Sequence, residues 1–462
     1  MRYNNPTTQL GLLAAILLLT TANRRLLSTF LLNSLPTDLN PTYDSYLPTS
    51  IIACLAGFVG IFVVNLAGVR PVLLFYSLTN VLLFASIVSK LQSGHSVFHT
   101  AAAIIDSVGY DLGRVATLVV VLAYPSERWK ARALSLFLIM EYFSMTLGDI
   151  LAIKVTGSKQ ARIGVAIAAL CLSCVAPFVS AAIAPSDRIV RSNGVYLMAR
   201  DTTLRGEVRG TLAVFKNKYM LLMIPYMFSY PFLFSSANVP HPTIQAIILY
   251  DAGKIFIILM CLTLDFQWAS RRVRSLVGLV MLVVVVLTSS IVAIVIRTQH
   301  PDHSGLQPEW NAAQVNTYLM DQVMTHQRAL LLTTYFFAGL ASSFIELFGL
   351  WIIGTLTNDI KVSGRLVGIY QSTMCIGGLV GFQMVTQMSH GIESSNVPTY
   401  ISVATTFVSL VLLFFVVRRI TDTNDWTLAS ISNGQSDASA DGQSTSTIAV
   451  IRDVKYQHLG DV

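Results

Sequence analysis

Twelve stretches of about 20 mostly apolar residues run through this chain, the length a helix needs to cross the hydrocarbon of a bilayer. They fall at roughly 8–34, 47–66, 71–92, 96–123, 133–153 and 161–184. After a polar stretch come six more, at roughly 219–239, 242–263, 275–297, 327–356, 366–388 and 398–417. A backbone in lipid must satisfy each N–H and C=O internally, so a chain of this kind folds as a helical bundle. Charged residues are 12% of the total, against about 25% in soluble domains, too few to solvate a globular surface. The expected fold class is an all-α polytopic membrane protein, and its first partner is the lipid bilayer.

The cations orient the bundle. With twelve spans both termini lie on one side, and the loops of that side hold 21 of the 31 Lys and Arg residues. They are Arg2, Arg70, Arg128, Lys130, Arg132, seven between Arg188 and Lys218, Arg271, Arg272, Arg274, Lys361, Arg365, Arg418, Arg419, Arg452 and Lys455. The opposite loops hold six and the spans four. Because Lys and Arg accumulate in cytoplasmic loops, both termini are expected in the cytoplasm, with the chain in the plasma membrane or an endomembrane. The expected organisation is a six-helix half at 1–184, a cytoplasmic connector at 185–218, a second half at 219–418 and a tail at 419–462. The tail, rich in Ser, Thr, Gly, Asp and Asn, cannot bury a core and is expected to be disordered.

Other classes recede. The net charge of +7 does not indicate nucleic acid, because the cations sit between apolar runs and form no basic, aromatic face. All five cysteines fall in apolar stretches, so no disulfide framework is indicated. Cys171-Leu-Ser-Cys174 reads as packing residues in mid-helix. His95, His99, His300, His303 and His326 read as outer-loop residues, and the pair at 300 and 303 has no clear third ligand. No metal site, cofactor motif or catalytic constellation emerges, and the chain is not expected to be an enzyme.

The two sets of six spans repeat one another. "NLAGVRP" (65–71) joins the second and third, and "ASRRVRS" (269–275) the eighth and ninth. "SERWKARALS" (126–135) joins the fourth and fifth, and "NDIKVSGRLVG" (358–368) the tenth and eleventh. Arg132 to Gly148 is 16 residues, as is Arg365 to Gly381. The offset between halves grows from 204 residues (Arg70 to Arg274) to 233 (Arg132 to Arg365), and the long outer loop at 298–327 accounts for the 29-residue difference. Two six-helix pseudo-repeats are the architecture of major facilitator transporters.

The corner motifs carry a resemblance. Asn65, Gly68 and Arg70 fit the second half of the cytoplasmic signature of the major facilitator superfamily, with Asn65 in place of its acid and Leu66 in place of its first cation. "YPSERWKARALSLF" (124–137), "SRRVRSLVG" (270–278) and "WIIGTLTNDIKVSGRLVGIYQS" (351–372) resemble the corners of fungal Unc-ninety-three-like proteins, a branch of that superfamily. The resemblance covers about 50–417 and implies a facilitator fold. It also implies that corner residues Asn65, Gly68, Arg70, Glu127, Arg128, Lys130, Arg132, Arg271, Arg272, Arg274, Asn358, Asp359 and Arg365 form a cytoplasmic gate. In that role they contact helix C-terminal carbonyls and acids across the halves and part when the inside opens; positive-inside topogenesis is the plainer reading and accounts for the connector cations. Three departures stand out. A Gly-rich turn after the first helix is absent, Glu346 stands where relatives commonly carry Gln, and Arg114 stands where they carry an aromatic residue.

Nine ionisable residues lie at membrane depth: Arg24, Arg25, Asp106, Asp111, Arg114, Glu141, Asp251, Lys254 and Glu346. Charge there costs several kcal/mol unless paired or wetted, so it marks functional paths. Asp111 and Arg114 are three apart, as are Asp251 and Lys254, so each pair shares a helix face and can neutralise itself. Glu141 and Glu346 have no cation within four residues and need water, a proton, or a partner from another helix, such as Arg24 or Arg25. Arg24, Arg25, Asp106, Asp111, Arg114, Glu141 and Glu346 are the candidate substrate or coupling residues.

Arg24 and Arg25 interrupt the first span, and from Gln9 to Thr21 is too short to cross. A signal peptide cleaved near Ala22 would leave eleven spans and break the repeat, so the helix is expected to run on to Leu32. Adjacent residues diverge by about 100°. One arginine is therefore expected to snorkel or pack polar groups, and the other to face the centre near Asp106, Glu141 or Glu346. The leading function is transport of a small solute or ion by alternating access; Glu141 and Glu346 read either as proton-coupling sites or as structural interhelical bonds to Arg24, Arg25 or a backbone group. The alternative is a non-transporting scaffold for a membrane-protein partner, since animal members of the resembled family regulate channels and receptor trafficking. Tyr456-Gln-His-Leu459 spells a sorting signal that fits vesicular traffic. A water-accessible cavity lined by the charges would mark the transporter, and a sealed, fully paired interior the scaffold.

Overall fold

The structure is a computed structural model describing residues 5–34, 42–93, 97–125, 129–154, 159–185, 188–189, 203–237, 244–266, 269–299, 325–357, 360–389 and 397–420. Glu127, Arg128, Asn358, Asp359, His95, His300, His303 and the sequence from 421 onward lie outside the described residues. Helices α1 (Pro6–Ser34), α2 (Thr42–Ala67), α3 (Val69–Ser93), α4 (Val97–Ala123) and α5 (Lys130–Lys154) come first. Then come α6 (Lys159–Ser173), α7 (Ala176–Ala181) and α8 (Leu204–Phe215). The second set is α9 (Lys218–Ala237), α10 (Ile244–Ile255), α11 (Ile258–Leu264), α12 (Arg271–Gln299), α13 (Thr325–Leu356), α14 (Ile360–Ser389) and α15 (Val397–Val417). No strand occurs among the described residues.

The α6–α7 and α10–α11 pairs each make one span, which gives six spans before α8 and six after it. Pro177 explains the first break: it has no N–H for a helical bond and its ring crowds the carbonyl four residues back. Cys174 therefore lies in that break and not in mid-helix. At the second break, Phe256 and Ile257 bond three residues back, to the Gly253 and Lys254 carbonyls, which tightens the turn. Between α2 and α3 the chain reverses at Gly68, where φ of 88° favours a residue with no Cβ.

Among the described residues, eight segments are long and apolar enough to cross a membrane by length and composition alone. The fully described α4 is not among them, and it carries Asp106, Asp111 and Arg114. Burial is inverted relative to a soluble protein. Leu55, Phe178, Leu262 and Val280 face outward, whereas Asp106, Asp149, Asp251 and Glu346 are buried. That is the arrangement expected when lipid is the solvent.

Packing repeats between the halves: α1 lies on α5 as α9 lies on α14, and α2 on α4 as α10 on α13. Close backbone contact is made by glycine in both. A Cβ on Gly148 would run into the Ala22 carbonyl, and one on Gly377 into the Phe228 carbonyl. Gly377 lies four residues before Gly381, the position expected from spacing. The tightest reciprocal contact joins α10 and α13, where a Cβ on Gly339 would strike the Tyr250 carbonyl and one on Gly253 the Phe336 carbonyl. Gly339→Ala is expected to cost about 1–3 kcal/mol or more by overpacking. Gly11→Ala, with nothing within 4 Å, should be neutral or stabilising. Thermal melting of both purified variants checks this; equal midpoints would refute the close approach.

Candidate functional site

Three layers of polar contact cross the bundle. At its centre Arg114 of α4 forks. Its Nη1 donates to Glu141 Oε1 on α5 and its Nη2 to Glu346 Oε1 on α13. Glu346 Oε2 also accepts from Tyr142 Oη at 2.8 Å and Tyr230 Oη at 3.2 Å. Tyr226 Oη donates to the carbonyl of the neighbouring Ile345 at 2.6 Å. Glu141 and Glu346 thus meet a cation from another helix, but it is Arg114 and neither Arg24 nor Arg25.

The expected local pair of Asp111 with Arg114 gives way to this fork. Asp111 instead accepts from Gln371 Nε2 of α14 at 3.1 Å, with Cys375 Sγ at 3.8 Å. A long planar guanidinium can leave its own helix and serve two carboxylates at once, and Glu141 and Glu346 have no cation of their own. The second pair does form, with Lys254 Nζ 3.2 Å from Asp251 Oδ1.

Toward the ends of α1 and α5 lies the second layer. Arg24 Nη2 is 3.2 Å from Asp106 Oδ2, and its guanidinium lies 4.1 Å from the Tyr110 ring centre. Arg25 does not leave the bundle. Its Nε donates to Asp149 Oδ2 at 3.0 Å and its Nη2 lies 3.8 Å from Asp251 Oδ2. Asp149 was not a sequence candidate, because it sits near the predicted end of its span and reads as an interface residue. Its neighbour Gly148, which lets α1 approach, was the signal available.

The third layer lies at the basic face, where α2 meets α3 and α4 meets α5. Arg365 of α14 donates through Nε and Nη2 to both oxygens of Glu207, each at 3.0 Å. Asn65 Nδ2 donates to Glu207 Oε2 at 2.9 Å and to the Lys361 carbonyl at 3.2 Å. Lys130 Nζ donates to the Gly354 and Thr357 carbonyls at the end of α13, at 2.8 and 3.2 Å, where a cation complements the helix C-terminus. Arg132 pairs with Asp265, and Arg274 Nη1 donates to the Leu264 carbonyl at 2.8 Å. Arg271 lines a small recess with Lys130, Arg274 and Trp351. Arg70 and Arg272 are exposed. Glu207 was missed because it sits in the charged connector; there the sequence ahead of it offers Thr203 as N-cap, whose Oγ1 accepts from Gly206 N at 3.2 Å.

The centre is closed: Asp106 is 1% exposed, and Glu141 and Glu346 are 2%. It is not fully paired, since Glu141 Oε2 and Gln371 Oε1 receive no hydrogen bond. Buried polar atoms are seldom left so.

No protein-family profile and no curated protein matches the chain. Solved structures do. A crystal structure of the major facilitator superfamily transporter FucP in the outward conformation matches with a TM-score of 0.58, at 11% identity, over 90% of this chain and 99% of that one. The E. coli fucose:proton symporter FucP, as a point variant, matches with a TM-score of 0.55, at 12% identity, over 88% and 98%. The chain has the major facilitator fold. The Arg114 fork takes one carboxylate from the first six spans, Glu141, and one from the last six, Glu346, and so crosses the seam between the two sets. Arg25 crosses the same seam to Asp251, as do Asn65, Lys130 and Arg132 at the basic face.

Proposed function

We propose that the chain is a secondary transporter that moves a small solute by alternating access and is coupled to protons at the Arg114 fork. The observation that carries this reading is one guanidinium held between a carboxylate of each half. A proton on Glu346 removes the charge pair that crosses the seam and leaves Arg114 with Glu141, so proton binding loosens one half from the other. Breaking a buried pair of this kind costs about 3–5 kcal/mol, enough to reverse a two-state preference. Coupling to protons is also what the printed title of the FucP variant states of that protein. A scaffold has no use for a buried carboxylate oxygen without a donor.

In this reading the basic face is cytoplasmic, and the Glu207–Arg365–Asn65 and Lys130 contacts keep it shut until the inside opens. The corner motifs support placement in the Unc-ninety-three-like branch. An uptake screen in proteoliposomes, with and without a pH gradient, tests the function. For any solute carried, Glu346→Gln is expected to retain solute exchange and lose gradient-driven accumulation. Accumulation that stays gradient-driven in both Glu346→Gln and Glu141→Gln would remove the proton role.

A further inference from the structure

The buried charges do not balance. Among the described residues at membrane depth, six buried carboxylates, Asp106, Asp111, Glu141, Asp149, Asp251 and Glu346, face four cations, Arg24, Arg25, Arg114 and Lys254; Glu207, also buried, lies apart at the basic face with Arg365. The deficit is two positive charges. A carboxylate in apolar surroundings is costly without a counter-charge, so the centre is built to receive positive charge from outside the chain. Proton binding at the fork supplies one. The second requires a cation.

Hydrogen-bonding capacity points the same way. Glu141 Oε2 and Gln371 Oε1 are acceptors lacking donors. Arg24 Nη1, a donor without an acceptor, belongs to the guanidinium already stacked against Tyr110. Glu141 is 2% exposed and sends its other oxygen to Arg114, so Oε2 is fixed in place. The chain also shows how it treats an ammonium here. The Lys254 Nζ lies 4.4 Å from the Tyr250 ring centre and 5.2 Å from that of Tyr142, with Asp251 at 3.2 Å. Aromatic faces and one carboxylate suit amines and guanidines.

We propose that the transported solute is a small monovalent organic cation bearing N–H donors, an amine or a guanidine, held through Glu141 Oε2. This rests on the transport reading and adds the substrate class to it. One proton at Glu346 and one such cation at Glu141 bring the buried charge to zero, which lets the loaded site cross low-dielectric surroundings. An anion would add to the negative surplus, and a sugar would leave it unmet.

The test is uptake by the full chain in proteoliposomes, using radiolabelled guanidinium and phenylguanidinium. Guanidinium stays charged at all working pH values, so passive trapping by the gradient does not mimic transport. Urea matches its shape without charge, tetraethylammonium carries charge without N–H donors, and lactate is the anion. Saturable uptake of a guanidinium probe, roughly tenfold or more above urea and tetraethylammonium, is expected. It should fall by a similar factor in Glu141→Gln and persist in Glu141→Asp, with melting temperature reporting that both variants fold. Uptake of urea or lactate in preference to the guanidinium probes would overturn the cation assignment and leave the transporter reading standing. Failure of every probe to enter, together with no shift in melting temperature on adding guanidinium probes, would overturn both. Equal guanidinium uptake by wild type and Glu141→Gln would overturn the role of Glu141.

Discussion

Arg114→Met is expected to abolish gradient-driven uptake and to lower the melting temperature of the purified protein severely. The guanidinium is the shared counter-ion of Glu141 and Glu346, both 2% exposed, and without it two carboxylates face each other away from water. Removing one partner from a buried ion pair costs about 3–5 kcal/mol, a large share of the stability of an ordinary fold. Arg114→Lys should recover part of the stability and little of the coupling. Its ammonium keeps the charge but lacks the planar fork that holds carboxylates from two helices. The combined Arg114→Met, Glu141→Gln, Glu346→Gln variant should melt well above Arg114→Met alone, because neutral groups replace the whole ionic cluster. Uptake should stay absent in it. A single Arg114→Met variant that melts within a degree or two of wild type would show that the fork does not hold the halves.

The helices could be read from the sequence because lipid imposes one rule on every span, a long apolar run, and the twelve runs reappear within a few residues. Charge asymmetry and corner spacing reveal the repeat for a similar reason: both are properties of loops, local in sequence. The ionic site is a different matter. Arg114 and Glu346 are 232 residues apart and Arg25 and Asp149 are 124 apart, so no spacing rule could pair them. An i,i+3 neighbour is all that the sequence displays for Arg114, which points to Asp111, whereas the long guanidinium reaches Glu141 and Glu346 instead. Need without partner was legible at Glu141 and Glu346, which is why both were candidates. Asp149 and Glu207 were illegible because each lies where charge is ordinarily solvated.

One departure from the resembled signature becomes intelligible in three dimensions. Asn65 replaces an acid, and its Nδ2 donates to Glu207. An acid at 65 would set like charges together over a residue that is fully buried. The amide converts that repulsion into a hydrogen bond beside the bidentate pair that Arg365 makes with Glu207.

That arrangement makes Arg365→Ala the second large effect. It takes the bidentate guanidinium from Glu207 and leaves a buried carboxylate with an amide donor, at a cost of about 3 kcal/mol or more to the closed basic face. Opening that face restores water to Glu207, so the substitution should shift the conformational equilibrium more than it unfolds the chain. A bias of about 3 kcal/mol changes the ratio of states roughly a hundredfold. Cys261 of α11 reports it. Its Sγ lies 4.0 Å from the Ala131 carbonyl of α5, across the seam, and it is 9% exposed. With Cys54, Cys171, Cys174 and Cys375 replaced by serine, maleimide should label Cys261 roughly tenfold faster or more in Arg365→Ala. Arg365→Lys, which keeps charge but donates less completely, should fall between. If labelling stays slow in Arg365→Ala while its melting temperature drops, the contact supports the fold and does not latch the basic face. If both stay unchanged, Glu207 draws its compensation from Asn65 and its surroundings, and the pair with Arg365 is dispensable.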